Sequence, residues 1–66
     1  MITEKSPVTP DVLAKIRRNL EEFGYAGLTD QHVSEQVAKA KAGEELSVIG
    51  LFAKNMLIEN NYWTEG

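Results

Sequence analysis

The stretch SVIGLFAKNMLI, residues 47–58, constrains the fold of this chain more than any other segment. Nine of its twelve residues are apolar or glycine, although the whole chain carries a net charge of −3. A helix with one buried side needs an apolar stripe of only about 100°. On a helical wheel, the apolar side chains of this segment cover a much wider arc. We therefore expect a helix that contacts other groups on more than one side.

The rest of the sequence offers few other means of stabilising a small fold. The chain has 66 residues, no cysteine and a single histidine, His32. Without cysteine it can form neither a disulfide nor a thiolate metal site. A domain of about 60 residues buries only about 60% of its unfolded surface and is marginally stable. The chain should therefore be one domain that depends on efficient helix packing or on a partner.

Capping residues place the first two helices. Thr9 is the expected N-cap of helix one, with Pro10 at the first helical position, where its missing N–H costs nothing. Gly24 supplies the left-handed residue after the end of this helix. Thr29 is the expected N-cap of helix two, and Gly43 ends it. Each helix has an apolar stripe, made of Leu13, Ile16, Leu20 and Phe23 in helix one and of Val33, Val37 and Ala40 in helix two.

The third helix has two acceptable starting points. A start at Glu44 places acidic residues in the first turn, where the helix dipole favours them. A later start uses Ser47 as the N-cap. The helix should end near Asn60 and Asn61, because asparagine tolerates the left-handed conformation that follows a helix.

These signals predict an all-α fold, namely a small three-helix bundle with the apolar third helix at its centre. We find no β-hairpin signal in the segments between or outside the helices. The expected organisation is a three-helix domain at residues 8–63, with a flexible N-terminal tail at 1–7 and a C-terminal tail at 64–66.

Part of the third helix should remain uncovered by the other two. Val48, Leu51 and Ile58 lie away from the centre of its apolar arc, and helix two offers only small apolar residues to cover them. Tyr62 and Trp63 follow the helix directly, and aromatic residues are enriched at protein interfaces. The expected partner interface therefore consists of Val48, Leu51, Ile58, Tyr62 and Trp63.

No pattern in the sequence indicates catalysis or a bound cofactor. His32 and Glu35 are three residues apart, but one histidine without cysteine is a poor set of metal ligands. The adjacent carboxylates Glu21 and Glu22 point about 100° apart on a helix, so they do not form an acid–base pair. We therefore predict no catalytic, cofactor-binding or metal site and a protein that is not an enzyme.

The preferred interpretation is a small helical protein-interaction module or regulator. It would act through the apolar face of the third helix, either as a homodimer or on a larger protein partner. Burial of that face would also supply stability that a chain of this size lacks.

A DNA-binding regulator similar to helix-turn-helix proteins is the alternative. It would read DNA through helix two, whose polar side chains could reach bases and phosphates. Against it, the acidic net charge disfavours a grip on phosphate backbones, so nucleic acid is not an expected partner. The contacts in this alternative would be Gln31, His32, Ser34, Lys39 and Lys41.

The sequence also bears on location. The N-terminal residues MITEKSPV lack the apolar region of a signal peptide. No apolar run approaches the roughly 20 residues that span a bilayer. We therefore expect a cytoplasmic protein with no membrane association.

Overall fold

The computed structural model describes residues 2–65 and contains three helices and one small antiparallel sheet. In chain order the elements are β1 (Ile2–Glu4), α1 (Pro10–Glu22), α2 (Asp30–Ala42), α3 (Val48–Glu59) and β2 (Trp63–Glu65). The three predicted helices are confirmed. The two strands show that the all-α prediction is incomplete.

The starts of α2 and α3 are fixed by side-chain caps. The hydroxyl of Thr29 accepts a hydrogen bond from the backbone N–H of His32 at 3.1 Å. Ser47 Oγ accepts one from the N–H of Gly50 at 3.4 Å. The third helix therefore uses the later of its two predicted starts. Thr9 precedes α1 in an extended conformation but makes no side-chain cap hydrogen bond.

The helix ends also follow local sequence. Gly24 and Gly43 have φ values of 98° and 77°, which place both in the left-handed region expected after a helix. Asn60 caps α3, and Asn61 follows with a φ of 65°. The predicted ends of all three helices are thus confirmed to within a residue or two.

The sheet joins the two ends of the chain. Ile2 pairs with Glu65, and Glu4 pairs with Trp63, in an antiparallel register. These strands use residues that the sequence placed in or beside the tails at 1–7 and 64–66. Each strand has only three residues, which is too short for an apolar–polar alternation to be recognised.

Two ion pairs attach the sheet to the helices. Lys41 Nζ of α2 lies 2.5 Å from a carboxylate oxygen of Glu4 in β1. Lys54 Nζ of α3 lies 2.6 Å from a carboxylate oxygen of Glu65 in β2. Each strand is therefore tethered to a different helix.

One apolar core lies between the helices and the sheet. The predicted stripe of α2 is buried in full, whereas that of α1 is buried only at its centre, with Leu13 half-buried and Phe23 exposed. The buried apolar side chains are Ile16, Leu20, Val33, Val37, Ala40, Ala53, Leu57 and Trp63.

The helix at the centre of the packing is α2 and not α3, which corrects the prediction of a central third helix. α2 packs broadly against both other helices, whereas α1 and α3 touch over a smaller region. Small residues explain this, because they let α2 and α3 come close together. A Cβ added at Gly50 would lie only 2.7 Å from Oε1 of Gln36, which is itself buried.

Candidate functional site

An exposed group of apolar side chains covers the first half of α3. Val48 is 62% exposed and Leu51 is 49% exposed. Phe52 is half-buried, and its ring packs edge-on against that of Phe23, with the ring centres 5.3 Å apart. Residues three and four apart are neighbours on a helix surface, so these side chains adjoin. We call Phe23, Val48, Leu51 and Phe52 the apolar patch.

The structure places the predicted interface residues in three different environments. Val48 and Leu51 are exposed, as an interface in the free protein requires. Ile58 and Tyr62 are partly buried and pack against the core. Trp63 is only 1% exposed, so its assignment to the interface is wrong. Trp63 is the first residue of β2, which pairs with β1, and its side chain lies in the core.

Sequence reasoning did not identify Phe23 and Phe52 as members of the apolar patch. Phe23 completes the apolar stripe of α1, so it was expected in the core, and Phe52 was not among the predicted interface residues. Phe23 is nevertheless 71% exposed, and it lies directly after the last residue of α1. The Gly24 that follows it marked this position as the end of the helix.

The candidate nucleic-acid contacts do not form one surface. Gln31, Ser34 and Lys39 are exposed, and His32 is half-buried. Lys41 binds Glu4 and lies two residues from Lys39, so the two lysines point to different sides of α2.

An ion-pair cluster connects α1 to the start of α2. Arg17 Nε donates to a carboxylate oxygen of Asp30 at 2.6 Å, and the Arg17 guanidinium also binds Glu21 one turn along α1. The hydrogen bond to Asp30 is the main cause that raises the pKa of Arg17 above its ordinary value. Arg17 is therefore held in a structural contact.

A groove of about 390 Å³ lies between α1 and α3, on the side where these helices are less closely packed. Its floor is apolar and is formed by Val12, Ile16, Met56, Leu57 and Tyr62. Its rim is polar and is formed by Lys15, Arg18, Asn19, Glu22 and Asn60. We call this the α1–α3 groove. A shallower depression continues from it to Phe23 and Phe52, so the groove and the apolar patch adjoin.

The groove has no grouping of residues suited to metal chemistry. Within residues 2–65, no cluster of three or more His, Asp or Glu side chains could hold a metal ion. Across the same residues, every helix is too short or too polar to cross a bilayer. What the molecule offers at its surface is an apolar patch and an amphipathic groove.

Comparison with protein-family models, with curated proteins and with solved structures finds no match to this chain. Its function is therefore inferred from its own surface.

Proposed function

We propose that this protein is a small, non-enzymatic interaction module that self-associates through the apolar face of α3. The observation that carries the proposal is the apolar patch, which groups four large side chains at neighbouring positions. Contiguous exposed apolar surface on a small protein marks interaction sites. The helical wheel pointed to the same face, through Val48 and Leu51.

A second copy of the chain fits this patch because the patch carries no charge. The first half of α3, residues 48–53, has no ionisable side chain, and Lys54, which follows it, is bound to Glu65. The chain has ten acidic residues against seven basic ones, so contacts through other faces tend to bring carboxylates together. A two-fold contact places each patch against its copy without such repulsion.

Self-association also addresses the stability of the fold. A chain of 66 residues has a small core, and eight apolar side chains are buried among residues 2–65. Binding that is specific to the folded state stabilises it by mass action. Burial of Val48 and Leu51 in a dimer would add apolar contact to that core without enlarging the chain.

Sedimentation across a range of protein concentrations tests the proposal. We expect the wild type to shift from monomer to dimer and Leu51→Glu to remain monomeric, because a charge is poorly tolerated in an apolar contact. Gln31→Glu is the matched control, since it adds the same charge at an exposed position of α2 and should dimerise normally.

Circular dichroism of each variant separates loss of contact from loss of fold. Leu51→Glu should keep its helical signal, because Leu51 is exposed in the monomer. A wild type that is monomeric at every concentration, or a Leu51→Glu variant that still dimerises, would refute the proposal.

DNA binding through α2 ranks below this proposal. Of its five candidate contacts, Lys41 is engaged by Glu4, and His32 is half-buried. The first residue of α2 is Asp30, whose carboxylate would face a phosphate backbone unfavourably.

A further inference from the structure

We infer that the α1–α3 groove is a second binding surface, which accepts an acidic amphipathic helix from a partner protein. The groove lies where α3 faces α1, whereas Val48 and Leu51 project from α3 into solvent. None of the four residues of the apolar patch lines the groove, so the inference does not require self-association.

The length and floor of the groove suit a helix. α1 and α3 run antiparallel across it, since Val12, near the start of α1, lines it together with Tyr62, which follows α3, and Asn19, nearer the end of α1, contacts Met56. From Val12 to Glu22, the first and last α1 residues that line the groove, α1 rises by about 15 Å, which is about three helical turns. An amphipathic helix places its apolar face on such a floor and keeps its polar face in water.

The helices that form the groove offer no row of free backbone groups to pair with an extended peptide. The N–H and C=O groups along the middle of α1 and α3 are used within their own helices. A strand laid between them would find no regular ladder of backbone partners. A helix satisfies its backbone internally, so it fits this surface better.

The charges on the rim indicate an acidic partner. Lys15 and Arg18 both line the groove from α1. Neither has a carboxylate within ion-pair distance among residues 2–65, although Glu22 is one turn from Arg18. By contrast, three other cations are each bound to a carboxylate, namely Arg17, Lys41 and Lys54.

Lys5 and Lys39 are likewise without an ion pair among the described residues, but neither lines the groove. They serve as controls, because they carry the same charge as Lys15 and Arg18 at other places on the surface. The groove is thus distinguished by two free cations placed beside an apolar floor.

The test uses two designed helical peptides with the same apolar stripe. One carries glutamate and the other lysine at the positions flanking the stripe. Amide chemical shifts of the isotope-labelled protein locate binding, and titration calorimetry measures affinity. We expect the acidic peptide to bind, to shift Val12, Met56 and Tyr62, and to weaken as salt is raised. The basic peptide should not bind.

Reversal of the rim charges should reverse this preference. Lys15→Glu/Arg18→Glu should bind the acidic peptide about tenfold more weakly or worse, because two attractive contacts become repulsive. It should bind the basic peptide better than the wild type does. The matched control Lys5→Glu/Lys39→Glu has the same net charge and should bind the acidic peptide much as the wild type does.

Several outcomes would overturn the inference. These are no binding of the acidic peptide, equal binding of both peptides, or equal affinity in the two charge-reversed proteins. Shifts at Val12 and Tyr62 that depend on protein concentration without peptide would assign the groove to a second copy instead. The Leu51→Glu variant should bind the acidic peptide like the wild type, so failure of self-association and failure of this inference remain distinguishable.

Discussion

Replacement of Gly50 by alanine should destabilise this protein, against the usual preference of helices. At an ordinary interior position of a helix, alanine is favoured over glycine by about 1 kcal/mol. At Gly50 the added Cβ would lie 2.7 Å from Gln36 Oε1 and 3.0 Å from a methyl carbon of Leu46. Overpacking of a close contact costs about 1–3 kcal/mol. The net result should be a loss of roughly 1 kcal/mol in the free energy of unfolding.

The size of this effect depends on whether Gln36 can move aside. Its side chain is buried, and its Oε1 accepts a hydrogen bond from Ser47 Oγ at 3.1 Å. A rotation that relieves the clash would break that bond and leave a buried amide without its partner, which is itself costly. The amide therefore resists displacement by the new methyl group.

A double-mutant cycle with Gln36→Ala isolates this contact. When Gln36 is shortened, the 2.7 Å contact disappears while those with Leu46 at 3.0 and 3.1 Å remain, so Gly50→Ala should cost less than in the wild type, by about 1 kcal/mol. Urea unfolding followed by circular dichroism measures all four proteins. Ala38→Gly, at an exposed position of α2, calibrates the intrinsic preference and should cost about 1 kcal/mol.

One result of the double-mutant cycle would contradict the prediction for Gly50→Ala. If Gly50→Ala stabilises the protein equally with and without the Gln36 side chain, the coupling energy is zero. The close approach of α2 and α3 at Gly50 would then impose no restriction on the size of the residue at this position.

Helix capping and pH dependence give two further tests. Thr29→Ala should lower the free energy of unfolding by about 1 kcal/mol in thermal melts, because it removes the hydrogen bond to the His32 N–H. Thr9→Ala should cost less, since Thr9 makes no such bond, and equal losses would contradict this difference. The hydrogen bond from Lys54 lowers the pKa of Glu65, so this contact stabilises the fold above the ordinary pKa of glutamate and is lost as pH falls through the lowered value. In an NMR titration Lys54→Gln should raise the pKa of Glu65, and an unchanged pKa would rule out the ion pair.

The helices could be predicted because their boundaries depend on local residues. Thr29 and Ser47 cap the residues directly after them, and Gly43 ends α2 through its own backbone conformation. None of these effects requires knowledge of the tertiary fold. The choice between two starts of α3 remained open, because an acidic first turn at Glu44 and a cap at Ser47 are both favourable locally.

The sheet and the burial of Trp63 could not be predicted in the same way. Strands β1 and β2 lie at opposite ends of the chain, so their pairing depends on how the three helices between them are arranged. Neither three-residue segment has a periodicity of its own. The tryptophan after the last helix was therefore assigned to the surface. In the structure Trp63 pairs with Glu4 and is buried in the core.

The candidate binding surfaces were partly visible in the sequence. Val48 and Leu51 were identified because a helical wheel shows directions around α3. The α1–α3 groove was not identified, because it arises from the unequal packing of three helices. A wheel gives no distances between helices, and the close contact at Gly50 draws α3 toward α2.

The pairing of β1 with β2 also determines how this domain can be connected to other chains. Because Ile2 and Glu65 are opposite each other in an antiparallel pair, their Cα atoms lie about 5 Å apart. A short linker could join these positions and close the backbone into a ring without displacing the helices. New chain ends could then be opened in the exposed loop that separates α1 from α2. A domain fused before Ile2 and another fused after Glu65 would emerge side by side from one edge of the molecule.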